Sequence, residues 1–451
     1  MRLSYLLAAF SLALPALASD EADAAMLRRI YDAALTDSPA YRRLDELVAK
    51  HPGRISGSRN LEGAVQWARA QLEQQGVDRT ELQPVMVPHW ERGAPESVSI
   101  VGDNLALAAL ALGGSGPTPA EGLTAPVIEL HSLDALATAD VKGRIVFFNR
   151  PMSSREISPA AAYGAAGDQR NKGPAAAARF GALGVLTRSL TQRLDDVPHT
   201  GNTSFPEGTP RLPAAALSTL AAERLSAALK ANPQLQVRLI VNAQLHPPAP
   251  SHNVIGEIRG SEFPDRIIVV GGHLDSWDVT PGAHDDGAGV VQSMEVLRLL
   301  RAVGYQPRHT LRCVLFTAEE NGGAGGKEYA RAAADRQETH VFALESDTGG
   351  FQPQEIELGN LAGNAHVRAA RWTALLAPYD IVRFVPGKGG ADVGYLLAQK
   401  ATVGQIVPRS QRYFDVHHTA IDTIDKVNPR ELELGAAAMA AMVYLVDQNG
   451  L

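Results

Sequence analysis

The chain has 451 residues, 45% of them apolar and 20% charged, with 42 basic and 49 acidic side chains and a net charge of -7. This is the composition of a globular protein, too long for one simple core at roughly 150 residues per domain, so two or three domains are expected. No basic run is present to follow a phosphate backbone, which argues against nucleic acid as a partner.

Met1–Ala18 has one positive charge, a short apolar core and a closing Ala-Leu-Ala. It reads as a secretory signal peptide cleaved after Ala18, too short to cross a bilayer, with a mature chain starting near Ser19. No other segment has about 18 uninterrupted apolar residues. The expectation is a soluble exported protein, periplasmic or secreted, with no membrane partner. The single cysteine, Cys313, lies in an apolar run and reads as a buried thiol, so no intrachain disulfide can form.

From Asp23 to about Gly76 apolar residues such as Val65, Ala68 and Leu72 recur at helical spacing, broken by a loop at His51–Ser58. Thr80 to Leu112 alternates as strands do, and the glycines and prolines of Gly113–Pro119 mark a domain boundary. Residues 120–246 then carry strands of their own at Val127–Leu130, Arg144–Phe148, Val185–Thr187 and Gln236–Val241, with an alanine-rich helix over Gly173–Phe180. They read as an inserted domain closed by a stiff linker, Pro247–Pro250. Residues 19–119 and 247–451 would make up the interrupted main domain.

After the linker come a strand (Arg266–Gly271), a helix (Ala288–Leu300), a strand (Thr310–Thr317), a helix (Gly326–Ala334) and a strand (His340–Glu345). Helical patterns at His366–Leu376 and Asp392–Lys400, a strand at Ala401–Val407 and a terminal helix at Pro429–Asp447 follow. This alternation predicts an α/β fold whose central sheet is mostly parallel, in part mixed, with helices on both faces.

The chemistry gathers where such strands end. The loop after Arg266–Gly271 holds His273, Asp275, Asp278, His284, Asp285 and Asp286. Thr317–Asn321 adds Glu319 and Glu320, Glu345–Gly349 adds Asp347, and Tyr413–Thr423 adds His417 and His418. Ligands of open α/β sheets bind at the carboxyl ends of the strands, and mixed carboxylate and imidazole donors suit zinc or a similar divalent ion. Two-metal hydrolysis asks for one bridging carboxylate, two further ligands per ion and a free carboxylate to take a proton from water. Asp285 as bridge, His273 with Asp347 on one ion and Glu320 with His418 on the other meet that demand. Glu319 remains as general base, and Asp275 is placed to orient His273 from behind. Each motif alone has a plain structural alternative: a satisfied loop histidine, a solvated acidic turn, a helix cap at Asp347, or a packed histidine pair. Their co-occurrence at strand ends favours the metal reading. For His199, in Pro198–Gly201, and for Asp392 the structural role is favoured. Trp277 reads equally as a core aromatic or a pocket wall.

These residues resemble the zinc-dependent co-catalytic aminopeptidase/carboxypeptidase family, through His273–Asp278, Asp285–Gly287, Thr317–Glu320, Glu345–Asp347 and His417–Thr423, and the resemblance extends over nearly all of the mature chain. It implies the same five ligands and base, and it selects His418, four residues before Asp422, over His417. It further implies two zinc ions, a cis peptide between Asp285 and Asp286, a protease-associated type of inserted domain roofing the cleft, and a possible homodimer. His284 departs from the small or acidic residue expected before the bridging aspartate, and so bears on access to the metals. Asp392 matches a polar position near the family's substrate pocket. The expected activity is a metallopeptidase acting on dipeptides or short unblocked peptides, as a carboxypeptidase or dipeptidase. The alternatives are an aminopeptidase on the same scaffold, a glutaminyl cyclase-like acyl transferase with one zinc, and a non-catalytic receptor-like binding protein.

Overall fold

Residues 267–270 and 313–316 are apolar without alternation because both faces of the strands they form are covered. The computed structural model describes residues 6–451 apart from Asn104, Asn364 and Ser410, with side chains from Asp20 onward except that of Leu105. Its larger sheet comprises β1 (Arg79–Glu91), β2 (Gln244–Ile258), β3 (Phe263–His273), β4 (His309–Phe316), β5 (Thr339–Glu345), β6 (Pro353–Gly359), β7 (Arg383–Pro386) and β8 (Thr402–Pro408). Their spatial order is β1-β2-β4-β3-β5-β8-β6-β7. The four central strands β4, β3, β5 and β8 run parallel, and antiparallel pairings flank them on both sides.

Alternate residues of β3 and β4 serve two cores, as the two-residue period of a strand requires. Ile268, Val270, Leu311, Cys313 and Leu315 pack under the helices Ala288–Ala302 and Pro429–Asn449. Ile267, Val269, Val314 and Phe316 face the opposite side, against Tyr329 of the helix Ala324–Asp335 and Leu396 of a short 3-10 segment. Register aligns the carboxyl ends, since His273 pairs with Phe316 and Gly271 with Glu345. The sequence therefore folds into the expected mixed α/β sheet covered on both faces.

A smaller mixed sheet holds eight strands from residues 97–240, in the order Leu105–Leu107, Ser97–Ile100, Gln236–Ile240, Leu123–Leu130, Ile145–Phe148, Gly184–Arg188, Ala214–Leu217 and Ala109–Ala111. This corrects the boundary read at Gly113–Pro119. Ser97–Ile100 pairs with Gln236–Ile240, and Ala109–Ala111 with Ala214–Leu217, so the segment N-terminal to residue 120 supplies edge strands to the second sheet. Pro247–Pro250 is likewise not a linker but part of β2, where Ala249 faces Val87 and Pro250 faces Met86. Prolines are tolerated there because β4 pairs with β2 only from Val254 to Ile258, leaving the proline stretch at the sheet margin.

The signal-peptide reading falls in part on residues 1–5, outside those described. From Leu6 the backbone is helical to Thr36, continuous across the expected cleavage point. Among the described residues no helix is long and apolar enough to cross a membrane. Cys313 is buried, as expected of a core thiol.

Trp277, in the loop after β3, is fully buried among residues of the smaller core, including Ile55, Trp90 and Ala111. Its ring stands edge-on to Trp90 at 6.4 Å and to His418 at 5.7 Å. Gly113 passes so close that a Cβ there would come within 2.0 Å of the indole. Trp277 is thus a core aromatic joining the two units and no pocket wall. Trp277→Ala is expected to destabilise the protein by about 3–5 kcal/mol, the cost of emptying such a site, read as a lowered midpoint in urea.

Candidate metal centre

Three loops at the carboxyl end of the larger sheet and one before the last helix bring the acids and imidazoles together. His273 closes β3, and its Nε2 lies 3.3 Å from Asp285 Oδ1 and 3.4 Å from Asp347 Oδ1. On the other side of Asp285, Oδ2 is 3.3 Å from His418 Nε2 and 3.4 Å from His417 Nε2. His418 Nε2 is also 3.0 Å from Glu320 Oε2. The aspartate therefore stands between two groups, His273 with Asp347 and His418 with Glu320. His417 shares Asp285 but forms no ion pair with Glu320. Glu319 also lines the cleft, and no cation pairs with it among the described residues.

His273, Asp285 and the two glutamates are held from behind. Asp275 is fully buried; its carboxylate oxygens accept from the Glu319 and Glu320 amides at 3.1 and 3.2 Å, and its backbone oxygen lies 3.1 Å from His273 Nδ1. One carboxylate thus fixes the turn carrying both glutamates. Asp286 accepts from the amides of His273 and Gly289, each at 2.9 Å, tying the end of β3 to the start of the next helix. Asp422 accepts from the His284 and Asp285 amides at 2.8 and 3.0 Å. The peptide between Asp285 and Asp286 is cis. Ala318 and His418 have φ of 58° and 62°, the left-handed region that non-glycine residues seldom adopt and that clusters at functional sites.

The residue that sequence reasoning missed is Arg54. Its guanidinium is fully buried and donates to the carbonyls of Leu274 (2.8 Å), Pro281 (2.6 Å) and Gly282 (3.1 Å), pinning both ends of the loop that leads from His273 to Asp285. Burial pulls this guanidinium down to about 10, opposed by the charges of Asp275 and Asp422. Nothing in Pro52-Gly-Arg-Ile55 marks that arginine as special, because its partners are backbone oxygens some 220 residues away.

The electrostatics follow from burial. At Asp285 burial pushes upward, but His417, His273 and His418 outweigh it and hold the carboxyl well below its usual range. At Glu319 burial, reinforced by Asp347 and Glu320, outweighs the opposing charge of His273 and drives the carboxyl well above the usual range. Asp422 is raised by burial to about 7 despite its two amide donors. Such opposed shifts in one cleft are a mark of functional sites.

The donor set also fits a cation. Asp285 Oδ2 and Glu320 Oε1 are buried and accept no hydrogen bond, an arrangement that costs free energy unless a positive ion faces them. His273, Asp285 and Asp347 form one group of ligand atoms within 4.8 Å of one another, and Asp285, His417 and His418 form another. Two imidazoles and three carboxylates suit zinc or a similar divalent ion.

The remaining candidates lie off this centre. His284 is turned away from the cleft, which corrects the expectation that it controls access to the metals. Its Nδ1 accepts from the Gly350 amide at 3.1 Å, its Nε2 reaches Lys426 O at 3.2 Å, and its ring stacks on Phe351 at 4.3 Å. Asp278 forms a two-pronged pair with Arg92 at 2.7 and 2.8 Å. Asp392 is buried and accepts from the Gly326 amide at 3.1 Å, within the first turn of a helix. His199 Nδ1 lies 2.8 Å from His417 O, so the smaller unit props the histidine loop.

The mixed sheet with its parallel centre, the carboxyl-end site and this set of carboxylates and imidazoles define a metallopeptidase, and the chain belongs to peptidase family M28, whose sequence profile matches residues 253–443. Within that class it is similar to carboxypeptidase Q. It is 35% identical to the Bos taurus protein over 90% of this chain and 85% of that one, and 34% identical to the Homo sapiens protein over the same shares. The crystal structure of a Peptidase M28 precursor from Shewanella amazonensis superimposes with a TM-score of 0.90 at 32% identity, covering 96% of this chain and 98% of that one. A zinc aminopeptidase from Bacillus subtilis shares the fold at a TM-score of 0.66 and 21% identity, over 90% of this chain and 94% of that one.

Asp275→Asn keeps the shape but weakens the acceptor that fixes Glu319 and Glu320. It is expected to lower metal affinity by about 10–100-fold with little change in folding, measured by equilibrium dialysis alongside circular dichroism.

Proposed function

We propose that the chain is an exported zinc-dependent exopeptidase that hydrolyses dipeptides or trims single residues from short unblocked peptides. The observation that carries this reading is Asp285, whose two oxygens each lie 3.3 Å from an imidazole of a different ligand group, the arrangement a carboxylate shared by two ions requires. His273 and Asp347 would hold one zinc, Glu320 and His418 the other, with Asp285 between them. Bound there, the ions would supply Lewis-acid chemistry, lowering the pKa of a water and polarising the scissile carbonyl.

The chain's own residues supply the remainder. Glu319, without an ion pair among the described residues and fixed through its amide by Asp275, accepts the proton of the water that adds to the carbonyl and returns it to the departing amine. His418 is held between Glu320 and the backbone oxygen of Thr200, 3.2 Å from its Nδ1, which sets which ring nitrogen faces the cleft. The cleft has a volume of about 380 Å³ and is walled on one side by Tyr163, Arg170, Asn171 and Asn202 of the smaller unit. A space of that size suits a short peptide, since ligand pockets of about 300–1,000 Å³ enclose small molecules. Export rests on the leader-like composition of Met1–Ala18.

Glu319→Gln is expected to bind zinc as the parent does while kcat falls by about 10²–10⁴-fold; near-normal turnover in that variant would sink the assignment of the base. Dialysis against a chelator should abolish hydrolysis of a free dipeptide, and added zinc should restore it. Activity that survives complete metal removal excludes the mechanism.

A further inference from the structure

Arg170 stands apart from the other buried arginines of this chain. It lies on a short helix of the smaller unit, is 9% exposed and lines the metal-centre cleft beside His417 and His418. Of the other buried arginines, Arg188 meets Glu223 and Arg312 meets Glu257 and Glu338, while Arg54 spends its fork on the carbonyls of Leu274, Pro281 and Gly282 away from the cleft. Arg170 has no carboxylate within ion-pair distance among the described residues. Its Nη2 donates to Tyr163 Oη at 2.6 Å and its Nη1 to Thr200 O at 3.2 Å, while its Nε is buried and donates to nothing.

A guanidinium withdrawn from water without a counter-ion is costly, and its fork geometry matches a carboxylate, the charged group that a free peptide carboxyl end presents. The surroundings hold it in place. Its charged end lies against Gly201, where a Cβ would sit 2.4 Å from Cζ, and it covers the Tyr163 ring at 5.2 Å. Among the described residues it is the only arginine or lysine lining a cleft whose opposite side carries Asp285, Glu319, Glu320 and Asp347. On the smaller unit's wall, Arg170 is the side chain whose fixed charge attracts a negatively charged peptide end.

We propose that Arg170 is the receptor for the free α-carboxylate of the substrate, so that the cleft selects peptides with an unblocked carboxyl terminus. This rests on the exopeptidase reading above and assigns the terminus which that reading leaves open. Held by Arg170, the carboxyl-terminal residue lies on the smaller unit's side, and the bond before it faces Glu319.

The test compares a dipeptide with its carboxamide on the zinc-loaded full chain. The parent is expected to favour the free acid in kcat/KM by about 10²-fold or more, the scale of losing a desolvated charge partner. Arg170→Met should erase that preference through a raised KM for the acid and retain metal content; Arg170→Lys should recover part of it. Tyr163→Phe, which removes one tether of the guanidinium with little risk to folding, should reduce the preference in part. A parent that treats acid and amide alike overturns the proposal while leaving peptide hydrolysis intact, and so does an Arg170→Met variant that loses both substrates equally. Calorimetric binding of the two compounds to the Glu319→Gln protein gives the same comparison without turnover, where equal affinities refute the carboxylate receptor. Absence of all hydrolysis by the zinc-loaded parent counts instead against the exopeptidase reading, and the binding comparison then decides for Arg170 alone.

Discussion

Asp285 is a fully desolvated carboxylate facing three imidazoles, and most of the architecture around it can be understood as what keeps it there. A buried carboxyl left to itself takes up a proton. Here His273, His417 and His418 reverse that tendency. Holding three rings toward one carboxylate requires several chain segments to end within a few ångströms of one another. Parallel strands in register supply His273, Asp347 and the two glutamates, and the loop before the last helix supplies the histidine pair. The backbone around Asp285 is in turn fastened by Asp422 and Arg54, which bond to amides and carbonyls rather than to the ligands themselves.

The smaller unit completes the site as well as covering it. Thr200 donates its amide to His418 O at 3.1 Å, and its own carbonyl faces His418 Nδ1, while His199 reaches His417 O. The histidine loop is thus gripped from a sheet to which it does not belong. Trp277 makes the reverse connection, leaving the larger sheet to bury its indole in the smaller core. The two units are interlocked at the point where the chemistry is placed, and the left-handed conformation of His418 is held by contacts from both.

The sequence was legible where a side chain's type carries its own signal. The central strands were read because burial on both faces leaves unbroken runs of valine, isoleucine and leucine, and the acids and histidines were read because they sit where such runs stop. The strand Ala214–Leu217 carries no such signal, being three alanines and a leucine, and β6 and β7 are short and rich in charge and proline. Pro247–Pro250 looked like a linker because proline lacks an amide, yet at a sheet margin no amide is needed. Arg54 and Arg170 were invisible for a different reason. Their roles depend on carbonyls, or on an absent counter-charge, far away in the chain, and no local pattern records that.

The chain leaves the larger sheet at Glu91 and re-enters it at Gln244, and these two residues are opposite one another on the β1–β2 ladder. Topologically the whole smaller unit occupies the position of a hairpin turn. A two-residue turn could close that ladder without disturbing any other strand pairing of the larger sheet, so the insertion is separable from the scaffold as architecture. It is inseparable as chemistry: the shortened protein would keep every proposed ligand but lose the grip on His418 and the Arg170 guanidinium that lines the cleft. The proposed metal ligands and the proposed carboxylate receptor thus lie on different stretches of chain, joined by two adjacent strands, so that the second can diverge while the first stays fixed.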